Sequence, residues 1–122
     1  MLLDLDDFKT INDQHGHLIG DKVLIDFAKK SKSTFREADH LSRFGGDEFI
    51  AVLPDTSVKQ AELIAKRINQ AGKLSDPAWS TSVGIAQFSE TDTFETLLTK
   101  ADGALYQAKM SGKNKAHISS AK

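Results

Sequence analysis

His40-Leu41-Ser42-Arg43-Phe44 and Phe49-Ile50-Ala51-Val52-Leu53 flank Gly45-Gly46-Asp47-Glu48. Two short strand-like runs joined by two glycines and two acids predict a β-hairpin, with the glycines available for positive φ. Pro54 and Asp55 end the second strand. Strands paired in a hairpin argue against an all-parallel, doubly wound sheet. Upstream, Met1 to Leu5 reads as a buried strand running into acid, and about Leu18 to Phe35 as a helix with Leu24, Phe27, Ala28, Ser31 and Phe35 on one face. Downstream, Ser57 and Gln60 have capping-box spacing ahead of a stripe of Ala61, Ile64, Ala65 and Ile68, with Gly72 as the stop. Gly72 to Pro77 reads as a surface loop, and Trp79 to Phe88 as a strand with Val83, Ile85 and Gln87 on one face. Asp92 and Glu95 are expected to cap a last helix, whose stripe is Phe94, Leu97, Leu98, Ala101, Ala104, Leu105 and Ala108 and whose stop is Gly112. Ala116 to Ile118 fits an edge strand. The expected class is α+β: a mostly antiparallel sheet flanked by helices, related to the ferredoxin-like arrangement.

The 122 residues fit one domain, residues 1–122, with no linker or repeat. With 39% apolar and 27% charged residues, the chain is of ordinary globular composition. A net charge of −1 argues against a nucleic-acid polymer as partner, though not against a local phosphate site. The absence of cysteine excludes disulfides, thiolate metal sites and a cysteine nucleophile. No apolar run approaches the ~18 residues of a membrane span, so direct membrane insertion is not expected. Asp4, Asp6 and Asp7 follow Met1 too closely for a signal peptide, and the expected compartment is the cytoplasm.

The acids carry the chemistry. Asp4 ends an apolar strand, and Asp47 and Glu48 sit at a hairpin tip. If the hairpin lies beside the first strand, the three carboxylates converge into a hard oxygen site for Mg²⁺ or Mn²⁺. Asp6-Asp7-Phe8-Lys9 marks a strand turning into a helix, whose free N–H groups bind phosphate. Each of these alone is an ordinary turn or cap. Asn12, Asp13, His15, Gly16, His17, Gly20 and Asp21 crowd into ten residues. Asn and Asp can read the Watson–Crick edge of guanine, whereas the two histidines lack a third ligand for zinc. No Walker A pattern is present, even around Gly112-Lys113.

The strings DLDDFKTINDQHGHLIGDKVL (4–24) and RFGGDEF (43–49), followed by TSVGIA (81–86) and ADGALYQAKMSGKNKA (101–116), resemble the GGDEF family of diguanylate cyclases over nearly the whole chain. The resemblance implies a nucleotidyl-cyclase-like fold. It implies that Asp4, the Leu5 carbonyl, Asp47 and Glu48 hold Mg²⁺ or Mn²⁺, with Asp47 and Glu48 as the catalytic carboxylates and Glu48 the candidate base. Asp7, Phe8 and Lys9 would contact the triphosphate, Asn12 and Asp21 would read guanine, and Leu24 would line the base pocket. Gly45 and Gly46 would make room for the nucleotide. Lys109 and Lys113 would reach phosphates from the end of the last helix. The family commonly has Arg at the position of Lys113, and lysine keeps the charge without the bidentate fork.

The implied reaction condenses two GTP into cyclic di-GMP and two pyrophosphates. Each domain holds one GTP, so the working unit is a homodimer. The family normally has another helix before the first strand, which this chain is expected to lack, along with an upstream sensory or dimerising part that in a full-length protein could be membrane-anchored. Arg36-Glu37-Ala38-Asp39 has an R-x-x-D pattern ahead of Gly45 that resembles the family's inhibitory cyclic di-GMP site, with Arg67 as a secondary contact. The alternative function is a non-catalytic receptor for cyclic di-GMP or GTP; a decayed site usually loses one of Asp4, Asp47 or Glu48, and here all three stand.

Overall fold

The structure is a computed structural model and describes residues 1–120. In chain order it forms β1 (Leu2–Leu5), α1 (Phe8–His15), α2 (His17–Thr34), β2 (His40–Arg43), β3 (Glu48–Val52), α3 (Val58–Lys73), β4 (Thr81–Ile85), α4 (Phe94–Met110) and β5 (Lys115–Ile118). The sheet order is β2-β3-β1-β4-β5. All neighbours are antiparallel except β4 and β5, which are parallel. The first four strands, in the order β2-β3-β1-β4 with crossovers through α2 and α3, follow the ferredoxin-like plan. The sequence reading of a mostly antiparallel α+β sheet holds, with β5 as the edge strand it anticipated.

The alternation of side chains along β1 sorts the two faces of the sheet. Leu3 and Leu5 join Val23, Phe27, Ala65 and Ile68 in the main core under α2 and α3. Leu2 points the other way and packs with Ala101 and Leu105 of α4. Phe27 is the centre of the main core, with Phe49 at 4.6 Å and Trp79 at 5.4 Å between ring centroids. The Trp79 indole N–H donates to Asp26 at 2.7 Å, so its polar tip is satisfied at the core's edge.

Several local expectations are corrected. Gly45 and Gly46 do not have positive φ; in the left-handed region are Gly16 (φ 85), which breaks α1 from α2, and Gly112 (φ 114). The stretch read as one helix from Leu18 therefore starts a residue earlier, behind a separate short helix. Ser57 and Gln60 do form the capping box of α3. Gly72 lies inside that helix rather than after it: a Cβ there would strike Trp79, so the glycine makes room for the indole. The fourth strand ends at Ile85, which leaves Gln87 outside it. The cap of α4 is Thr93, in a capping box with Thr96. Asp92 instead accepts from Ser89 N (2.9 Å), Thr96 Oγ1 (2.9 Å) and Lys100 Nζ (2.9–3.0 Å), and these donors hold its carboxyl well below the usual range. Phe94, expected on the buried stripe, is exposed.

Helix α4 lies directly on the sheet because β4 presents Gly84 to it. A Cβ at Gly84 would collide with the Ala101 carbonyl and reach 2.5 Å from Leu105 N, both backbone atoms that cannot rotate away. Gly84→Ala is expected to lower the unfolding free energy by about 3 kcal/mol, read by urea denaturation. An unchanged midpoint would show that α4 is free to lift from the sheet.

Candidate active site

Antiparallel register decides which acids meet. Asp4 of β1 lies opposite Glu48 of β3 on one side and Ser82 of β4 on the other. Like charges directly opposite on paired strands repel. By the alternation of β1, Asp4 shares the α4 face with Leu2. Asp47 is brought alongside by main chain, since Leu5 N donates to its carbonyl at 3.0 Å. The hairpin tip is closed by Phe44 N and Gly45 N donating to the Glu48 carbonyl, at 2.8 and 3.2 Å. The Arg43 guanidinium braces it by donating to the Gly45 and Gly46 carbonyls at 2.5–3.1 Å. Above Gly46 a Cβ would meet nothing within 4 Å, and above Gly45 only Glu48 near 4 Å. The two glycines thus border open space at the acids.

Asp4 is only 7% exposed. Its Oδ2 is ion-paired with Lys109 Nζ from the last turn of α4, and its Oδ1 is buried without a hydrogen-bond partner. Burial, with the neighbouring Asp47 charge adding to it and Lys109 opposing it, pushes the Asp4 carboxyl up to about 6. Lys109 is raised in turn by Asp4, Glu48 and Asp47 together, against its own burial. Among the described residues no three His, Asp or Glu side chains form a group arranged to hold a metal ion. The donor chemistry nevertheless fits one: a buried unpartnered carboxylate oxygen, a facing glutamate and a neighbouring aspartate are hard oxygens in search of positive charge.

The turn after β1 supplies the second part of the site. Asp7 is the N-cap of α1 but makes no side-chain cap, because its carboxylate accepts from Lys113 Nζ at 2.7 Å. That leaves the first N–H groups of α1, from Phe8 and Lys9 onward, without a capping side chain. The Phe8 ring packs on the core and Lys9 is exposed. In α1 and α2, Asn12 lies against Gly20, where a Cβ would overlap its amide, so the glycine sets the spacing of the two helices beside Asp21. Asp21 is exposed and Leu24 half-buried at the core's edge.

Asp6 was overlooked as an organiser. It accepts from Ser80 Oγ (2.6 Å), Ser82 Oγ (2.5 Å) and Asn114 N (2.9 Å), tying β1, β4 and the loop after α4 together. Its position two residues after Asp4, on the same side of an extended chain, was the available signal. The proposed inhibitory pair is assembled but engaged. Arg36 donates to Asp39 at 3.0 and 3.3 Å, to the Pro54 carbonyl at 2.7 Å, and to Thr56 Oγ1. Arg67 is exposed on α3. A cavity of about 610 Å³ lies at the Met1 end of β1, is lined by apolar groups such as Leu2, Ile50 and Leu98, and does not include Asp4, Asp47 or Glu48 in its lining.

Residues 1–115 match the family described as diguanylate cyclase, GGDEF domain. The response regulator PleD of Caulobacter vibrioides is 43% identical over 93% of this chain, which spans 27% of PleD. The chain spans 18% to 40% of the length of the leading curated relatives it matches. Among solved structures, the active GGEEF domain of a diguanylate cyclase from Vibrio cholerae aligns with TM-score 0.88 and 32% identity, covering 99% of this chain and 81% of that one. The GGDEF domain of DgcB from Caulobacter crescentus, in complex with c-di-GMP, aligns with TM-score 0.90 and 25% identity, covering 96% and 74%.

The raised Asp4 carboxyl has a consequence for stability. A folded value of about 6 above an unfolded 3.8 means that protonation favours the fold. That contribution is full below the unfolded value and is lost as pH rises through about 6, so ionised Asp4 weighs against folding at neutral pH. In chelator-containing buffer at pH 7.5, Asp4→Asn is expected to be more stable than the parent by roughly 1–2 kcal/mol. The difference should disappear below pH 4. A less stable variant at pH 7.5 would show that the Lys109 pairing outweighs desolvation.

Proposed function

The chain belongs to the GGDEF domain family of diguanylate cyclases, and from that membership we propose that it condenses two GTP into cyclic di-GMP with release of two pyrophosphates. The observation that carries this reading is the cross-strand row of Asp4 and Glu48, with Asp47 and Lys109 beside it, under the open space over Gly45 and Gly46. Asp4, the Leu5 carbonyl, Asp47 and Glu48 would hold Mg²⁺ or Mn²⁺, which when bound neutralises phosphate charge and makes the attacking hydroxyl more acidic. The uncapped N–H groups from Asp7, Phe8 and Lys9 onward, the Lys9 ammonium, Lys109 and Lys113 bind the triphosphate. Asn12 and Asp21 pair with guanine, whose ring N–H and amino group suit a carboxylate acceptor, and Leu24 lines the base. Glu48, with Asp47 beside it, takes the proton of the partner GTP's 3′-hydroxyl. The O3′–Pα bond forms, the bond from Pα to the bridging oxygen breaks, and pyrophosphate leaves. A second round closes the ring.

Two domains must face each other for this, so the working form is a homodimer brought together by an upstream segment, in the cytoplasm where GTP is available. Cyclic di-GMP is also proposed to bind at Arg36, Asp39 and Arg67 and to inhibit. The DgcB domain's complex with c-di-GMP supports a product site in this fold. Because Arg36 is held by Asp39, Pro54 and Thr56, product must exchange for those partners.

Incubation with GTP and Mg²⁺ is expected to yield cyclic di-GMP and pyrophosphate, with a rate per domain that rises with protein concentration. Asp47→Asn should lower kcat at least about a hundredfold, the order of several kcal/mol of charge stabilisation. Cyclic di-GMP binding without turnover by a dimerised protein would favour a receptor instead. In calorimetric titration, Arg36→Ala combined with Asp39→Ala should lose cyclic di-GMP binding; equal binding by parent and variant would remove the inhibitory site.

A further inference from the structure

Lys109 sits in the last turn of α4, one turn beyond Leu105 on the face that packs on the sheet. Its ammonium pairs with Asp4 Oδ2 and feels Glu48 and Asp47 as well. One positive charge therefore serves three carboxylates. Asp4 Oδ1 stays buried and without a partner, so the pairing leaves acceptor capacity unused where desolvation makes it costly. A divalent cation would meet both needs, and it would be drawn to the same oxygens that Lys109 now engages. The lysine can leave. Its side chain is 39% exposed against 9% for Asp4, and a lysine is a point charge on a flexible four-carbon stem rather than a rigid fork. Lys113, by contrast, pairs with Asp7 in the neighbouring turn and makes no contact with Asp4 among those of the described residues.

We propose that Lys109 and a divalent cation compete for the Asp4 carboxylate, so that this lysine opposes metal binding by the protein alone and turns into a phosphate ligand once a triphosphate draws it away. The inference rests on the cyclase reading and adds a regulatory role to one of its residues. Metal and nucleotide then bind with positive coupling, because each removes part of what hinders the other, and the coupling is reciprocal. The protein would stay poorly loaded with metal until GTP arrives, which keeps an acidic cluster from trapping ions unproductively. If Lys109 merely fastened α4 to β1, its removal would weaken the fold and leave metal affinity where it was.

The test is Mn²⁺ binding, followed by the electron paramagnetic resonance of free Mn²⁺, on the whole chain with and without a GTP analogue bearing a methylene between the α- and β-phosphorus atoms. For the protein alone, Lys109→Met is expected to raise Mn²⁺ affinity about tenfold, the effect of removing a charge in direct contact. Lys113→Met removes an equal charge from a neighbouring position and should change it less than about twofold if contact, rather than the general field, decides. Lys109→Arg, which keeps the charge and so also guards against a folding artefact, should not raise it. The analogue should raise Mn²⁺ affinity strongly in the parent and much less in Lys109→Met. Unchanged or weaker Mn²⁺ binding by Lys109→Met, or an equal rise in Lys113→Met, would overturn the competition while leaving the cyclase reading intact. No Mn²⁺ binding by any of these proteins, even with the analogue, would overturn the cyclase reading and this inference with it.

Discussion

Strand β1 is paired on both edges, all four of its residues are buried, and it nevertheless carries a carboxylate. In such a strand every side chain has a fixed face, and a slip of one residue would exchange Leu3 and Leu5 for Leu2 and Asp4 in the main core. The register that places Leu3 and Leu5 under α2 and α3 therefore forces Asp4 onto the α4 face, opposite Glu48. The hydrophobic demand of one face thus sets the electrostatic problem of the other. The rest of the site answers that problem: a lysine from α4, a serine-lined Asp6 clamp, and a hairpin tip held by main-chain bonds.

Helix α4 is the element that delivers the answer, and its placement is set by an absent atom. Without a Cβ at Gly84, the helix backbone rests on β4, so the end of α4 is a fixed distance from β1. Its far end is fastened separately, where Asp92 binds Lys100 and the loop from Ser89. After the helix, Gly112, Lys113 and Asn114 all take positive φ, turning the chain sharply so that Lys113 reaches Asp7 and Asn114 N reaches Asp6. Non-glycine residues rarely adopt that conformation, and its use at both Lys113 and Asn114 fits strain held by the surrounding bonds.

The hairpin, the capping box at Ser57 and the stripe of α4 were legible in the sequence because they are local: turn residues, spacing of three, and a period of 3.6. The grouping of Asp4, Asp47 and Glu48 was legible because Asp4 lies next to the end of an apolar strand and Asp47 and Glu48 lie at the hairpin tip. The cap of α4 was misread because Asp92 is the stronger capping residue by type, yet it is taken by Lys100, eight residues on, which leaves Thr93 to cap. For Gly45 and Gly46 only the positive φ went unused, while the open space expected over them is present. Glycine is consistent with positive φ and with open space alike, and only coordinates separate the two. Gly72 was read as a helix stop and nothing local marked Gly84, since what they accommodate, Trp79 and α4, lies outside the local sequence pattern. Asp6 was visible as one acid among several, but its partners Ser80, Ser82 and Asn114 lie more than seventy residues away.

A buried acid facing another acid would be removed by selection for stability alone, because replacing it with an amide relieves both desolvation and repulsion. The same arrangement makes sense if the cluster is kept short of positive charge, with one ammonium against three carboxylates. A single ammonium is enough to let the strand fold, and too little to satisfy the carboxylates. That imbalance would draw a doubly charged ion, and on the proposed competition the flexible stem of Lys109 would let the exchange occur without moving the sheet. On that proposal the fold would need no change of shape: β1, between β3 and β4, holds Asp4 opposite Glu48, and the part that would move is one side chain at the end of one helix.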